Sequence, residues 1–345
     1  MKKEIGVAIL GLGTVGSSVL KILKDNEEWI KAEYELEIVI RYAYVRNINK
    51  QRDLPLEGII ITDDAKEIAN DNKVDVCIEC MGGSGTENTF EILLKMIEKG
   101  KHIIMSSKKC LALHKNELVE YTLKYHTQLR YDATVGGGIP ICKTLQNLSG
   151  YDSIHKIYGI ANATTNYILS LMCEEGVDYK TAFTMAQKAG YAENDASEDV
   201  DGWDALYKMC ILLRFGAGIE VDAAKMSPQN LGVIPNFSYQ KNGNNIKQIF
   251  YAERKKDNKI EYYVGPVAVK QNEILGDVKG QNNIIFVEHE YGGLRAYYGK
   301  GAGGKETAAI MVEDLFDIIN NKIFPKTAEK YETVMVENIV RKADV

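Results

Sequence analysis

No run of apolar residues in this 345-residue chain comes near the ~18–20 needed to cross a bilayer, so a membrane-spanning helix is excluded. The N-terminus, Met1-Lys2-Lys3-Glu4, passes directly into a strand-like segment and lacks the apolar stretch of a secretory signal; a cytoplasmic protein is expected. Cysteine is scarce. The six residues Cys77, Cys80, Cys110, Cys142, Cys173 and Cys210 are too few for a disulfide scaffold and should stay reduced. Charge of one sign is not concentrated either: 42 Lys and Arg against 48 Asp and Glu give a formal charge of -6, and no basic block suggests a nucleic-acid partner. Internal repeats and low-complexity segments are also lacking.

What remains is an ordinary globular composition, 45% hydrophobic and 26% charged, in a chain about twice the length of a typical domain. Two folding units are the natural reading. Short apolar runs alternate with helical patterns through the first 135 or so residues, as in a parallel sheet covered by helices. The predicted strands are Ile5–Leu10, Leu36–Val45, Ile59–Ile61, Val74–Cys80, His102–Met105 and Leu129–Asp132, and Val15, Val19, Ile22 and Leu23 give an intervening helix one apolar face. The pattern changes after the glycine run Gly136–Gly138. Helices are predicted near Thr164–Glu175, Tyr179–Ala189 and Asp199–Phe215, then strands over Glu261–Val269, Asn283–Glu290 and Leu294–Tyr298, then a helix over Ala308–Ile319. Cys77 and Cys80 spell C-x-x-C, but inside a buried-strand pattern residues three apart face opposite ways, which argues against metal or redox use.

Two constellations carry chemistry. Gly11-Leu12-Gly13-Thr14-Val15-Gly16 is G-x-G-x-x-G placed between the first strand and the first helix. The first glycine permits a tight turn, the second lets a pyrophosphate approach the backbone, the third lets helix and strand pack closely, and the helix N-terminus offers N–H groups to the phosphates. A dinucleotide is the implied ligand. Where an NAD-selective site would place an acid after the second strand, the chain reads Val45-Arg46-Asn47; Arg46 favours a 2′-phosphate, hence NADP, with NAD the alternative. The second constellation runs from Gly190 to Lys208 and crowds Glu193, Asp195, Glu198, Asp199, Asp201 and Asp204 into a loop and the first turn of a helix. Asp204 and Lys208, four apart, share a helix face, where an ammonium beside carboxylates can relay protons or hold an amine-bearing ligand; solvated acids at a helix start would look the same. A calcium loop of the EF-hand type is excluded by register.

Together with Lys108, the run Asp132–Pro140, Asn162-Ala163-Thr164-Thr165-Asn166-Tyr167-Ile168-Leu169, and Gly301-Ala302-Gly303-Gly304 before Thr307-Ala308, these segments resemble the homoserine dehydrogenase family, in a short form without a C-terminal regulatory domain. The resemblance implies an α/β fold: a Rossmann-type doubly wound parallel sheet over residues 1–133, rejoined by 304–345, with a second α+β domain over 134–303 for substrate binding and dimerisation. It implies NAD(P)-dependent interconversion of L-homoserine and L-aspartate 4-semialdehyde, toward threonine and methionine. Carried over residue by residue, Lys208 is the general acid/base, Glu193, Asp199 and Asp204 face the substrate, and Lys108 is the second functional lysine. The dinucleotide would meet Gly11, Gly13, Thr14, Val15, Gly16, Arg46, Lys108 and Gly303. A sodium ion would lie on the carbonyls of Val135, Gly137 and Ile139, and the protein would be a homodimer. The chain departs from the family at Ser107, Asp132, Ala163 and Glu306. Two other readings are a non-catalytic NADP-binding sensor and a dehydrogenase for another small amino acid alcohol.

Overall fold

The computed structural model describes residues 3–82, 85–192, 195–231, 243–255, 259–321 and 332–339. They form two compact units, the first made of the chain up to Thr134 and a return segment from Gly303, the second of Val135–Ala302 joined by the strands near the C-terminus.

The first unit begins β1 (Lys3–Leu10), α1 (Thr14–Asp25), α2 (Glu27–Glu33), β2 (Leu36–Tyr44), β3 (Ile60–Thr62), α3 (Ala65–Asn70) and β4 (Val76–Glu79). It continues with α4 (Thr86–Glu98), β5 (His102–Met105), α5 (Lys108–Lys124) and β6 (Leu129–Arg130). The six strands lie in the order β3-β2-β1-β4-β5-β6, every pair parallel. That is the doubly wound order, and it reverses between β1 and β4, where such sheets bind ligands beyond the carboxyl ends of their strands. Val7 and Ile9 of β1 and Val76 and Ile78 of β4 are buried with Val19, Leu20 and Leu23 of α1. Each such side chain contributes on the order of 1.5–3 kcal/mol. The predicted last strand stops at Arg130, because Asp132–Thr134 turn into a 3₁₀ helix whose Asp132 N–H donates to the Asp314 carboxylate at 3.2 Å.

The second unit contains α6 (Ile141–Leu148), β7 (Ile154–Ile160), α7 (Ala163–Glu175), α8 (Tyr179–Lys188), α9 (Ser197–Val200) and α10 (Trp203–Gly216). Then follow β8 (Ile219–Glu220), β9 (Asn244–Lys255), β10 (Lys259–Lys270), α11 (Ile274–Asp277), β11 (Asn282–His289) and β12 (Gly293–Lys300). After α12 (Gly304–Ile319), which packs in the first unit, β13 (Glu332–Thr333) and β14 (Met335–Asn338) end the described chain. The main sheet runs β12-β11-β7-β9-β10-β14, antiparallel except for β14, which lies parallel to β10.

Three expectations change. The sequence predicts three strands for the second unit, and β7, β9 and β14 bring its main sheet to six. Among the described residues of 304–345, α12 returns to the first unit, whereas β13 pairs with β8 and β14 with β10 in the second. The helix expected over Asp199–Phe215 is broken at Gly202, whose φ of +84° no ordinary residue adopts cheaply, into α9 and α10. From Asp204 to Gly216 every residue of α10 is buried, as befits a helix at the centre of its unit.

Candidate active site

In the first unit the six-residue glycine turn has the geometry its spacing requires. Gly11 sits at φ +105°, and a Cβ there would fall 2.4 Å from the Cys80 carbonyl oxygen. A Cβ on Gly16 would fall 1.9 Å from the Gly11 carbonyl oxygen, so the turn closes only without a side chain. Gly13 differs, since no atom stands within 4 Å of where its Cβ would be. Gly13 is also the N-cap of α1 and supplies no side-chain acceptor, leaving the first N–H groups of the helix, from Thr14 and Val15 onward, aimed past the end of β1. Open space beside a glycine and an uncapped helix start are what a pyrophosphate needs. Arg46 follows β2 on an exposed stretch.

Lys108 is the first residue of α5 and is half-buried. What holds it was not read from the sequence. Glu79, fully buried at the end of β4, accepts from the N–H groups of Met81 at 2.6 Å, Ser106 at 3.1 Å and Ser107 at 3.0 Å, and from the Ser107 hydroxyl at 2.7 Å. One carboxylate thus ties the ends of β4 and β5 to the start of α5. Ser107, a departure from the family pattern, is one of its donors. Gly303, at φ +138°, is the N-cap of α12, and the Glu306 carboxylate lies 2.2 Å from where its Cβ would be, against the positive end of the helix.

In the second unit, Lys208 is 8% exposed and its ammonium donates to the Ala161 carbonyl at 2.6 Å and to Asp204 Oδ2 at 2.8 Å. Asp204, in the first turn of α10, is 2% exposed. The i,i+4 pair is therefore not a solvated decoration. Asn162 Nδ2 donates to the same Asp204 Oδ2 at 2.7 Å and to Asp199 Oδ1 at 2.6 Å, so Asp199, Asp204 and Lys208 form one cluster. The Tyr179 phenol is held above its ordinary pKa, first by burial and then by Asp201 and Asp199. Glu193, expected beside them, lies outside the described residues. Asn162 and Gln248 were not singled out from the sequence as site residues. For Asn162 the available signal was an amide placed directly before a helix.

Gly136 and Gly137 take consecutive φ values of +76° and +56° between the buried Val135 and Ile139, and the Gly138 N–H donates to the Lys300 carbonyl at 3.1 Å. A Cβ on Gly137 would fall 2.7 Å from the Gly301 carbonyl carbon. The Ile139 carbonyl accepts from the Ile141 N–H at 2.8 Å and keeps a second lone pair. Cys77 and Cys80 are free thiols in buried positions; burial pushes Cys77 up to about 12 and Cys80 well above its ordinary value, which suppresses thiolate chemistry.

Residues 11–132 match the family model described as the NAD binding domain of homoserine dehydrogenase, and residues 140–316 match the model described as homoserine dehydrogenase. The chain is 34% identical over 322 residues to a homoserine dehydrogenase of Bacillus subtilis, covering 92% of this chain and 74% of that one. It is 35% identical over 330 residues to one of Helicobacter pylori, covering 93% and 75%. A homoserine dehydrogenase structure from Thiobacillus denitrificans superposes with a TM-score of 0.88 at 29% identity, over 97% of this chain and 80% of that one. A hyperthermophilic archaeal homoserine dehydrogenase solved with NADPH shares the fold, with a TM-score of 0.76 at 22% identity over 93% and 99%. With the doubly wound sheet, the open glycine turn and the buried Asp204–Lys208 pair in place, the chain belongs to the homoserine dehydrogenase family.

Proposed function

We propose that Lys208 is the acid/base of this oxidoreductase, that Asp199, Asp204 and Glu193 hold the substrate's ammonium group, and that Lys108 is the second functional lysine. The reaction is the NAD(P)-dependent interconversion of L-homoserine and L-aspartate 4-semialdehyde. The nicotinamide dinucleotide, when bound, supplies the hydride donor or acceptor for the reacting carbon. Lys208 handles the accompanying proton: its neutral amine takes the hydroxyl proton as the alcohol is oxidised, and its ammonium returns a proton to the carbonyl oxygen in reduction.

The observation that carries this reading is the setting of Lys208. Two of its three ammonium donors are engaged by Ala161 and Asp204, and among the described residues the third has no acceptor, which leaves one direction for a substrate oxygen. The Asp199 and Asp204 carboxylates of the same cluster suit an amino acid's ammonium. On the dinucleotide side, Gly11, Gly13, Thr14, Val15 and Gly16 would cradle the pyrophosphate, and Lys108 and Gly303 would also border the cofactor. Arg46 would meet a 2′-phosphate, which favours NADP over NAD. The carbonyls of Val135, Gly137 and Ile139 are hard oxygen donors at alternate residues of a turn, a set that fits a sodium ion. A higher unfolding temperature in sodium chloride than in choline chloride at equal ionic strength would support that ion; equal temperatures would contradict it.

The protein is also read as a cytoplasmic homodimer. No described helix is long and apolar enough to span a membrane. β12 is a sheet edge on which Leu294 is 57% and Tyr298 60% exposed, a surface suited to a second copy. Sedimentation showing only monomer at micromolar concentration would refute the dimer. The activity itself is tested with purified protein, L-homoserine and each oxidised cofactor at alkaline pH. Growth of reduced-nicotinamide absorbance is expected, faster with NADP. Dinucleotide binding without that growth would point to a sensor, and growth with a different amino acid alcohol alone would point to another substrate.

A further inference from the structure

The buried polar chain behind Lys208 has an organisation that the acid/base reading does not use. Asn162 is 3% exposed and is the N-cap of α7. Its Oδ1 accepts from the Thr165 N–H at 2.7 Å and lies 2.9 Å from the Thr165 hydroxyl, while its Nδ2 donates to Asp199 Oδ1 at 2.6 Å and Asp204 Oδ2 at 2.7 Å. Reversing the amide would set donor against donor at Thr165 and acceptor against acceptor at both carboxylates, so its orientation is fixed. Gln248 of β9, 2% exposed, braces the group from behind: Oε1 is 2.9 Å from the Thr165 hydroxyl, and Nε2 donates to the Asp199 carbonyl at 2.9 Å.

We propose that Asn162 is a positioning residue for the proton transfer, a neutral clamp whose two N–H donors span the Asp199 and Asp204 carboxylates and fix the oxygen on which Lys208 rests. Two carboxylates this close repel unless a donor lies between them. A lysine or arginine could serve as that donor, but it would neutralise the field that suits a cationic substrate. A primary amide supplies both donors with no charge. Thr165 and Gln248 keep it from rotating, so one residue both caps α7 and sets the geometry of Asp204 and Lys208. This inference rests on the acid/base reading of Lys208.

The test separates capping from clamping. Asn162→Ser keeps an oxygen that can accept from the Thr165 N–H, but its single hydroxyl proton cannot serve two carboxylates. Asn162→Asp keeps both cap and shape and has no donor at neutral pH. Each should lower kcat roughly 10²-fold, as a displaced reacting group does, while dinucleotide affinity stays at the parental value. On a Lys208→Met background the same substitutions should add little further loss, because the residue through which they act is already absent. Gln248→Met, one partner further back and making no capping bond, should cost about 10-fold in kcat and keeps the question open to test if both Asn162 variants fail to fold. Parental turnover in these variants alongside a slow Lys208→Met enzyme would overturn the clamp alone. A loss of the same size on both backgrounds would reduce Asn162 to a structural residue. Parental turnover in Lys208→Met would remove the clamp together with the acid/base reading beneath it.

Discussion

Gly11–Gly16 build their site from six consecutive backbone positions, whereas the Lys208 cluster draws Asn162 and Thr165 from the start of α7, Asp199 from α9, Asp204 from α10 and Gln248 from β9. The first site is shaped by what its residues lack: at Gly11 and Gly16 a Cβ would meet backbone, and at Gly13 it would stand in open space. The second works by what its residues carry, since each buried polar group there is held by another. A backbone site should therefore fail by intrusion, and a side-chain cluster by the stranding of a partner.

The largest stability effect is expected where stranding is worst. Asp204→Ala leaves the buried Lys208 ammonium with the Ala161 carbonyl and without its counter-ion, and should cost about 3–5 kcal/mol in urea unfolding. A cost comparable to that of a surface substitution would show the pair to be solvated after all.

Lys247 gives the next effect. It neighbours Gln248 on β9 but is turned to other partners, donating to Asn166 Oδ1 at 3.0 Å and to the Val278 carbonyl. Burial lowers its pKa from 10.5 to about 8, a shift worth roughly 3 kcal/mol. Between those two values the unfolded chain binds the proton that the folded chain has released, so this lysine's contribution makes stability rise with pH from about 8 to about 10.5. Across that window the unfolding free energy of the parent should rise relative to that of Lys247→Met, and a constant difference would contradict the assignment.

Within the glycine turn the two failure modes separate. Gly16→Ala pushes a Cβ onto the Gly11 carbonyl and should destabilise the first unit by about 1–3 kcal/mol in thermal unfolding. Gly13→Ala meets nothing and should leave unfolding unchanged while weakening NADPH binding, read by nicotinamide fluorescence titration. Equal behaviour of the two variants would break the distinction. The smallest effect belongs to Arg46, which is exposed and therefore screened. Arg46→Ala should raise KM for NADP about 5- to 10-fold and leave NAD nearly unchanged.

The contrast between the units also explains what could be read from the sequence. The glycine turn was legible because six adjacent residues carry both pattern and context, and β5 matches its expected span because its short apolar run lies between clear helices. β9 escaped notice: Lys247 and Gln248, both buried, interrupt the apolar alternation by which a strand is recognised. Gln248 was hidden with it. Lys208 and Asp204 were legible as an i,i+4 pair, but their burial was not, because that depends on α10 being enclosed by elements distant in sequence. Glu79 could have drawn attention as a single acid in Val76–Met81, yet its four donors come from Met81 after β4 and from Ser106 and Ser107 between β5 and α5, a convergence that spacing does not encode.

In the proposed mechanism proton transfer depends on Lys208 and its cluster, while dinucleotide binding depends on the glycine turn. Its most direct test is Lys208→Met, a variant that keeps the aliphatic stem, assayed twice on one preparation: for L-homoserine oxidation at saturating NADP, and for NADPH affinity by fluorescence titration. Loss of a positioned acid/base should lower kcat about 10²–10⁴-fold and leave the affinity at the parental value. Near-parental kcat, or a parallel loss of turnover and affinity, would contradict the claim.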